Sequence, residues 1–394
     1  MIPRDLQPQL LRLAASFPAV LLTGPRQSGK TTLARAAFPH LPYVSLENPD
    51  TREFAAADPR TFLARLPDGA ILDEIQRAPA LFSYLQERID LAPARRFVLT
   101  GSNNFSLLQA ITQSLAGRVG IARLLPLTIQ EMRSARPGPA DLDDLLWRGS
   151  YPGCLVRRAD PRDFFASYVE TYVERDVRMI VNLHDLGRFR RFVSLCASRI
   201  GQLINLASLA ADAGVSQPTA RSWLDALEAS YLVLRVAPYH RNFGKRLVRT
   251  PELYFCDTGL AAWLLGIADP SQLALHPLRG SLFENGVVVD IVKHRWNHGN
   301  LRPPYFWRDS NGREIDLILD DGPRLLGIEI KSGATFAGDW EHGLATWRET
   351  VGERNSERPV VIWGGADSGP RSHSYALAWD RIDRLPETLA PRSA

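Results

Sequence analysis

The sequence has few cysteines and no long apolar segment. Its three cysteines, Cys154, Cys196 and Cys256, lie far apart with no CxxC pair. This spacing favours buried, reduced thiols over a disulfide framework or a zinc site. No uncharged apolar run approaches the roughly 20 residues that span a bilayer, and the N-terminus lacks the ordered regions of a secretory signal. The sequence therefore predicts a cytoplasmic location and no membrane partner.

The chain also lacks a strong excess of charge of either sign. Its 47 Lys and Arg stand against 43 Asp and Glu, a formal charge of +4, so net charge alone does not require a nucleic-acid partner. A composition of 45% hydrophobic and 23% charged residues is that of a folded globular protein and excludes a largely disordered chain. At 394 residues, two or three domains of roughly 150 residues are expected.

The order of apolar segments predicts an α/β protein with more than one domain. Up to about Pro126, short apolar runs alternate with helix-like stretches, which is typical of a parallel sheet covered on both faces. A segment with two prolines and a glycine follows and predicts a linker. Helical spacing comes next, and strand-like runs return after Leu282. We predict an α/β domain over 1–133, a linker over 134–150, a helical domain over 151–270 and a mixed α/β domain over 271–394.

A phosphate-binding motif occupies Gly24 to Thr31, with the sequence GPRQSGKT. It follows the predicted strand VLLT and precedes a predicted helix, as G-x-x-x-x-G-K-[ST] requires. Its glycines allow backbone N–H groups to face phosphate oxygens, Lys30 reaches the β and γ phosphates, and Thr31 holds Mg²⁺. The predicted nucleotide contacts are Gly24, Pro25, Arg26, Gln27, Ser28, Gly29, Lys30, Thr31 and Thr32.

A second motif of the same chemistry is AILDE, where an apolar strand ends in Asp73 and Glu74. The first carboxylate is expected to bind Mg²⁺ and the second to act as general base on the attacking water. An acidic pair that only caps the next segment is the alternative. Both motifs occur in order within one α/β unit, so the sequence predicts ATP and Mg²⁺ as ligands.

Two further elements are candidates for the same site. The strand RFVLTG releases Thr100, Ser102 and Asn103 at its end, and one of these is a candidate sensor of the γ-phosphate. Arg118, in SLAGR, is a candidate for stabilising transition-state charge in its own site or in a neighbour's. A solvated surface arginine is the alternative.

The middle of the chain has helix-turn-helix spacing over 205–236, with Ser216 placed to cap the second helix and Pro218 in its first turn. Two strand-like runs follow, and the loop between them would be the wing of a winged helix. No acidic residue occurs between Ala229 and Pro251, so the wing predicts DNA binding. A solvated loop, or one docked on an acidic surface, remains open. The basic residues are Arg235, Arg241, Lys245, Arg246 and Arg249.

The C-terminal part places charges within apolar runs. Glu284 lies in a helix-like segment, Asp316 in EIDLIL, and Glu329 and Lys331 in GIEIKSG. Alternation puts Glu329 and Lys331 on one strand face, and a hairpin through DDGP would bring Asp316 beside them. Such carboxylates can hold Mg²⁺ or Mn²⁺, and the lysine can orient a water for phosphodiester attack. An exposed strand with ordinary surface charges is the alternative.

Two family resemblances follow from these motifs. GPRQSGKTTL, ILDEIQRAP, FVLTGSNN and SLAGR, in this order, resemble the bacterial and archaeal AAA-type ATP-binding proteins whose C-terminal half has unknown function. This resemblance, from Leu10 to Lys331, implies an additional-strand, Glu-containing P-loop fold, Ser102 or Asn103 as sensor, a functional Arg118 and a homo-oligomer. The C-terminal spacing resembles the PD-(D/E)XK nuclease fold, which implies a metal site at Glu284, Asp316 and Glu329 with Lys331 beside it.

Three functions are compatible with this sequence. The first is a Mg²⁺-dependent ATPase coupled to DNA binding and to metal-dependent DNA cleavage. The second is a nucleotide-switched regulatory or scaffold protein with an inactive nuclease-like domain, for which slow turnover and tight ATP retention would be diagnostic. A metal-dependent nuclease in which ATP is only structural is a third reading.

Overall fold

The computed structural model describes most of the chain as two compact units. Unit 1 comprises Met1–Leu127, Ala229–Leu232 and Arg295–Asn300, and unit 2 comprises Thr128–Glu228, Val233–His294 and Leu301–Ala394. The described residues are 2–91, 96–102, 107, 111, 114–135, 138–156, 159–173, 185–239, 250–309, 312–322 and 324–389.

Unit 1 is built on a parallel sheet with helices between its strands. Its strands are β1 (Ala19–Thr23), β2 (Tyr43–Ser45), β3 (Gly69–Asp73), β4 (Arg96–Gly101) and β5 (Val119–Arg123). Its helices are α1 (Gln7–Ser16), α2 (Lys30–Ala37), α3 (Pro49–Ala57), α4 (Pro59–Ala64) and α5 (Leu81–Leu91). The short 3₁₀ helix Ile75–Arg77 follows β3.

The strand order of this sheet is β2-β3-β4-β1-β5, and every neighbouring pair is parallel. The strand before the phosphate-binding motif, β1, is therefore separated by β4 from β3, which carries Asp73. This is the additional-strand arrangement that the family resemblance implied. The predicted parallel α/β sheet is confirmed.

Alternation along the strands gives the sheet two apolar faces. Leu21 and Leu72 pack in one buried cluster with helix α5, whereas Leu22 and Ile71 pack in another with α1 and α2. Because both faces are covered by helices, the strands read as continuous apolar runs rather than alternating ones. The same packing fixes the carboxyl ends of β1, β3 and β4 along one edge.

One helix of unit 2, Leu142–Arg148, lies inside the predicted linker. Asp141 caps the helix at Leu142 by accepting a hydrogen bond from the backbone N–H of Asp144 at 2.8 Å. The segment 134–150 is therefore partly helical, because the run DLDDLLWR supplies a cap and a buried apolar side after the prolines end. The helices up to residue 197 are α6 (Ile129–Ser134), α7 (Leu142–Arg148), α8 (Pro152–Val156), α9 (Pro161–Tyr168) and α10 (Leu186–Ala197).

A helix-turn-helix follows, as predicted. Helix α11 (Leu206–Ala213) ends at Gly214, which takes the left-handed conformation with φ 71°, and α12 (Gln217–Ala229) begins after Ser216. The Ser216 hydroxyl accepts the N–H of Thr219 at 3.2 Å, as expected of a cap. Strands β6 (Val233–Pro238) and β7 (Glu252–Phe255) then pair antiparallel.

The remaining strands of unit 2 form one mixed sheet with β6 and β7. They are β8 (Tyr305–Arg308), β9 (Glu314–Leu319), β10 (Leu326–Lys331), β11 (Val360–Trp363), β12 (Gly369–Pro370) and β13 (Tyr375–Ala378). The strand order is β12-β13-β11-β10-β9-β8-β6-β7, so the β6–β7 pair continues the C-terminal sheet through the parallel pairing of β6 with β8. The helices are α13 (Thr258–Leu264), α14 (Pro270–Ala274), α15 (Arg279–Asn297) and α16 (Glu341–Val351).

None of the helices within the described residues combines the length and the apolar character needed to cross a bilayer.

Candidate functional site

The phosphate-binding loop connects the carboxyl end of β1 to the first turn of α2. Gly24 has φ 149°, and a Cβ placed on it would lie 2.1 Å from the carbonyl oxygen of Leu124. Only glycine fits this close approach. On the other side, the Arg4 guanidinium donates to the carbonyls of Ser28 at 2.6 Å and Leu125 at 2.8 Å. The loop is thus held between β5 and the N-terminal segment.

Lys30 is buried at the start of α2. Its Nζ donates to the carbonyl oxygens of Gly24 at 3.0 Å and Pro25 at 2.8 Å. These bonds place its positive charge inside the loop, where a phosphate with surplus acceptor oxygens would compete with the two carbonyls. Lys30 and the helix N-terminus together make an anion-binding position.

Asp73 ends β3 and accepts hydrogen bonds from three hydroxyls. Thr31 donates to its two oxygens at 3.1 and 3.2 Å, Tyr43 donates to Oδ2 at 2.7 Å, and Thr100 donates to Oδ1. A carboxylate beside a threonine hydroxyl is the hard oxygen donor set that Mg²⁺ takes. The side chains of Thr31 and Asp73 therefore fit the predicted Mg²⁺ position.

Glu74 follows Asp73 in the left-handed conformation, with φ 57° and ψ 47°. Its carboxylate Oε2 accepts from the amide Nε2 of Gln76 and, at 3.5 Å, from the hydroxyl of Ser102. Burial raises the pKa of Glu74, and the charges of Lys30 and Arg26 offset part of that rise. A partly buried carboxylate near these cations has the properties of a general base.

Two of the three predicted sensor residues, Thr100 and Ser102, lie beside the acidic pair. Thr100 bridges the two acidic residues, since its hydroxyl donates to Asp73 and accepts the backbone N–H of Glu74 at 3.4 Å. Ser102 is buried beside Glu74. Asn103 lies outside the described residues. The carboxyl end of β4 therefore meets the acidic pair, and a role in sensing γ-phosphate remains a prediction.

Arg118 lies at the opposite edge of the sheet. It precedes β5, whose Val119 pairs with Ala19 at the beginning of β1, whereas the phosphate-binding loop follows the end of β1. Five residues of strand span roughly 13 Å. Arg118 forms a bidentate ion pair with Asp90, at 2.6 and 2.9 Å. This position argues against a role in the nucleotide site of its own chain. A role in a neighbour's site and a surface arginine that only pairs with Asp90 both stay open.

A pocket of about 650 Å³ lies beside Thr31. The Arg35 guanidinium stacks over the ring of Tyr43 at 5.0 Å, and the pocket walls also include Thr32, Phe38, Leu41 and Ile71. Burial and the Asp73 carboxylate raise the pKa of Tyr43 to about 12. Sequence reasoning missed Tyr43 and Gln76. The only available signals were a tyrosine opening β2 and a glutamine two positions after the acidic pair.

Most of the predicted DNA-binding wing lies outside the described residues, namely His240, Arg241, Phe243, Lys245, Arg246 and Arg249. Arg235 is described, and its guanidinium is held by Asp225 at 2.9 Å and by Glu228. Both acids belong to α12, so the charge of Arg235 neutralises negative charge on the second helix of the helix-turn-helix. The N-terminal half of α12 instead exposes Gln217, Arg221 and Ser222.

The C-terminal hairpin brings the predicted charged residues together. Strands β9 and β10 pair antiparallel, and the Asp316 carboxylate accepts the backbone N–H of Ile330 at 2.6 Å. The Lys331 ammonium lies 2.6 Å from Glu329 Oε1 and 3.8 Å from Asp316 Oδ2. Burial would lower the pKa of Lys331, but these two carboxylates overcome it and raise the pKa.

Glu284 joins the same cluster through Tyr254. The phenol hydroxyl lies 2.7 Å from Glu284 and 3.0 Å from Glu252, a carboxylate that sequence reasoning missed. Burial, with the Asp316 charge, raises the pKa of Glu284, and burial raises the pKa of Glu252 to about 8. Glu329, buried next to Asp316, has its pKa raised to about 8 as well.

The cluster differs from a preformed metal site. Among the described residues, no group of three or more His, Cys, Asp or Glu side chains is arranged to hold a metal ion. The Lys331 ammonium supplies the positive charge between Glu329 and Asp316. One oxygen of Glu329, Oε2, is buried with no hydrogen-bond partner among the described atoms. The predicted metal ligands Glu284, Asp316 and Glu329 therefore converge, while metal binding stays a prediction.

Comparison with known proteins divides the chain into three parts. Residues 16–133 match the family described as AAA domain, residues 139–271 match a domain of unknown function, DUF8612, and residues 279–380 match another, DUF4143. The uncharacterized proteins Rv2008c of Mycobacterium tuberculosis and Mb2031c of Mycobacterium bovis are each 36% identical over 339 residues. The match covers 84% of this chain and 74% of each relative.

Solved structures show more distant likeness. The Walker-type ATPase PABY2304 of Pyrococcus abyssi aligns with a TM-score of 0.45 at 15% identity, over 67% of this chain and 96% of that one. AMPPCP-bound DnaA from Aquifex aeolicus aligns with a TM-score of 0.31 at 12% identity, over 57% of this chain and 85% of that one.

Proposed function

Because this chain belongs to the family of the mycobacterial proteins Rv2008c and Mb2031c, with an AAA domain followed by two domains of unknown function, we propose that unit 1 is a Mg²⁺-dependent ATPase. The observation that carries this proposal is the convergence of Lys30, Thr31, Asp73 and Glu74 at one edge of the sheet. The phosphate loop, the hard oxygen pair and the base are all present there.

Each residue has a role that its contacts support. Lys30 binds the β and γ phosphates when it exchanges its two carbonyl acceptors for phosphate oxygens. Thr31 and Asp73 would hold Mg²⁺, which would supply positive charge to the phosphates. Glu74 takes a proton from the attacking water. Thr100 holds the end of β3 to β4, because its hydroxyl contacts the Asp73 carboxylate and the backbone N–H of Glu74.

Phosphate release from ATP with Mg²⁺, together with ATP binding by the same samples, tests the proposal. Lys30→Ala should abolish binding or turnover, since it removes the phosphate-binding charge. Arg60→Ala is the control, because Arg60 is an exposed cation on α4 whose described contacts are with Glu87 and the ring of Tyr84. Tight ATP retention without turnover by the wild type would favour the nucleotide-switched regulatory protein instead.

For unit 2 we propose DNA binding by the helix-turn-helix and the basic wing. Support comes from the exposed, acid-free N-terminal half of α12 and from the ion pairs that neutralise Asp225 and Glu228 with Arg235. The basic residues of the sequence between Ala229 and Pro251 and a polar helix surface both suit a phosphate backbone. Arg221 on α12 replaces Arg235 as the expected contact from the described residues.

Salt titrations of DNA affinity test this proposal. Each phosphate contact contributes about one unit to the slope of log affinity against log salt. Replacing Lys245, Arg246 and Arg249 together by Ala should lower the slope by up to about three, and Arg221→Ala by about one. Arg324→Ala removes an exposed arginine elsewhere in unit 2 and is the control. Unchanged affinity for every single and double strand would assign the wing to another partner.

A second candidate function is metal-dependent cleavage of a phosphodiester bond by unit 2. The convergence of Glu284, Asp316, Glu329 and Lys331 favours it. In the described arrangement Lys331 occupies the position between the carboxylates, so a divalent cation would have to displace its ammonium. Incubation of labelled DNA with protein and Mg²⁺ or Mn²⁺ tests the candidate. Cutting that survives in Lys331→Ala and Asp316→Ala would come from another site or a contaminant.

A further inference from the structure

The two oxygens of the Glu74 carboxylate have different surroundings. Oε2 accepts from Gln76 Nε2 and from the Ser102 hydroxyl at 3.5 Å. No hydrogen bond reaches Oε1 from any residue that the structure describes, and the side chain is partly exposed. One oxygen is therefore held by the protein, and the other is left to accept a hydrogen bond from water.

Local backbone geometry makes Gln76 the residue that can hold this oxygen. Glu74 takes the left-handed conformation, φ 57°, as the chain leaves β3 and enters the 3₁₀ helix Ile75–Arg77. A non-glycine residue adopts this conformation at a cost of roughly 1–2 kcal/mol, and the sharp turn folds the side chain at position 76 back toward position 74. The next residue, Arg77, turns to Glu47 instead, at 3.3 Å.

Gly101 provides the space for the Gln76 amide. A Cβ at position 101 would lie 2.5 Å from Gln76 Oε1, so any larger residue there would push the amide group away from its present position. Gln76 Oε1 is buried and has no hydrogen-bond partner among the described atoms. The amide is thus held by packing against the end of β4 and by its one described hydrogen bond, to Glu74.

We propose that Gln76 is a positioning residue for ATP hydrolysis: its amide anchors Glu74 Oε2 so that Oε1 faces the attacking water. The inference rests on the ATPase function proposed above. The water oxygen forms a bond to the γ-phosphorus as the bond from that phosphorus to the bridging oxygen breaks. The electron pair leaves with ADP, and the water proton passes to Oε1.

The role predicts an effect on turnover without an effect on substrate binding. Gln76→Met keeps the length and volume of the side chain and removes the donor. Losing a hydrogen bond to a charged group should lower kcat by about 10- to 100-fold, with the KM for ATP changed by no more than about twofold. Gln86→Met on α5 makes the same chemical change away from the site and is the matched control.

A double-mutant cycle separates positioning from an independent role. If Gln76 acts only through the Glu74 carboxylate, Gln76→Met should change kcat by no more than about twofold in a Glu74→Gln background. Gly101→Ala offers a second perturbation, because a Cβ there would lie 2.5 Å from both the Gln76 amide oxygen and the Leu107 side chain while leaving the Gln76 and Glu74 functional groups intact. It should lower kcat in the wild-type background and have little effect in the Glu74→Gln background.

Several results would overturn the assignment. If Gln76→Met has the same kcat as Gln86→Met, Gln76 has no positioning role. The same conclusion follows if Gln76→Met lowers kcat equally in the wild-type and Glu74→Gln backgrounds. Both results leave the ATPase proposal intact. A raised KM with a lowered melting temperature in Gln76→Met would make Gln76 structural only. Absence of turnover by the wild-type protein with ATP and Mg²⁺ would overturn the ATPase proposal and this role together.

Discussion

Both units carry carboxylates on the strands of their sheets, but the two sets of carboxylates have different partners. Asp73 in unit 1 is surrounded by hydroxyls from Thr31, Tyr43 and Thr100, and its nearby lysine is bonded to backbone carbonyls. In unit 2, the ammonium of Lys331 is paired with Glu329 itself.

The Asp73 carboxylate has hydroxyl partners and no described ion pair, whereas the Glu329 carboxylate is already paired with the Lys331 ammonium. Hydroxyls stabilise Asp73 without neutralising it, so a cation and a phosphate can add the missing charges. A carboxylate neutralised by a buried lysine gains less from a metal, since the ion pair must first be broken. Carboxylates and lysines on the strands of both units are therefore expected to give different chemistry.

The largest expected effect is on turnover in unit 1. Glu74→Gln should keep ATP binding and lower kcat by about 10² to 10⁴, the usual value of a positioned general base. Single-turnover phosphate release and equilibrium ATP binding measure the two quantities. Undiminished hydrolysis by this variant would show that another residue activates the water. The acidic pair of unit 1 would then not be distinguished from the unit 2 cluster by catalysis.

A second effect concerns the pH dependence of stability in unit 2. The pKa values of Glu252 and Glu329 are raised from 4.5 to about 8. Between these values the folded state holds protons that the unfolded state has released, so stability falls as pH rises from about 4.5 to 8. Each carboxyl contributes at most about 1.4 kcal/mol per pH unit, and Glu252→Gln should reduce the slope.

Urea unfolding followed by tryptophan fluorescence measures this slope. All nine tryptophans except Trp296 belong to unit 2, so their fluorescence reports that unit. The exposed Glu353→Gln is the control and should leave the slope unchanged. A wild-type stability that is flat or rising from pH 5 to 8 would contradict the burial of these acids.

A third effect compares the two lysines directly. Lys331→Met should destabilise the fold by about 1–3 kcal/mol, less than the loss of a fully buried ion pair because the side chain is about one third exposed. Lys30→Met should cost less, about 1 kcal/mol, since its two described hydrogen bonds are to neutral backbone carbonyls. Urea midpoints of both variants provide the measurement. Equal losses would mean that the two lysines contribute equally to the free energy of unfolding, which would contradict the comparison.

The smallest expected effect is that of a divalent cation on the free protein. If the unit 2 cluster binds Mn²⁺ with tenfold excess over its dissociation constant, the melting temperature should rise by about 2–4 °C. The rise should be smaller in Asp316→Ala and preserved in Asp73→Asn, which removes the carboxylate of the unit 1 site. A rise in melting temperature that is lost only in Asp73→Asn would place the cation in unit 1. If the wild type shows no rise, the Lys331 ammonium is not displaced from the carboxylates by Mn²⁺.

The sequence by itself determined the features that depend on local pattern. The spacing of Gly24, Gly29 and Lys30 between an apolar strand and a helix predicted the phosphate loop, because this conformation needs glycine at set positions. Alternation within GIEIKSG predicted the central strand β10, and the turn DDGP predicted its pairing with β9. The helix-turn-helix followed from cap and turn residues, which also act locally.

Only the tertiary structure decided which distant side chains meet. The contact of Tyr43 with Asp73 and that of Gln76 Oε1 with Gly101 depend on strand order and helix packing, which no local pattern encodes. Arg118 proved to lie at the amino edge because β5 runs parallel to β1. The same holds for charge: Arg235 and Lys331 are basic in sequence, and their acidic partners become apparent only when the elements pack.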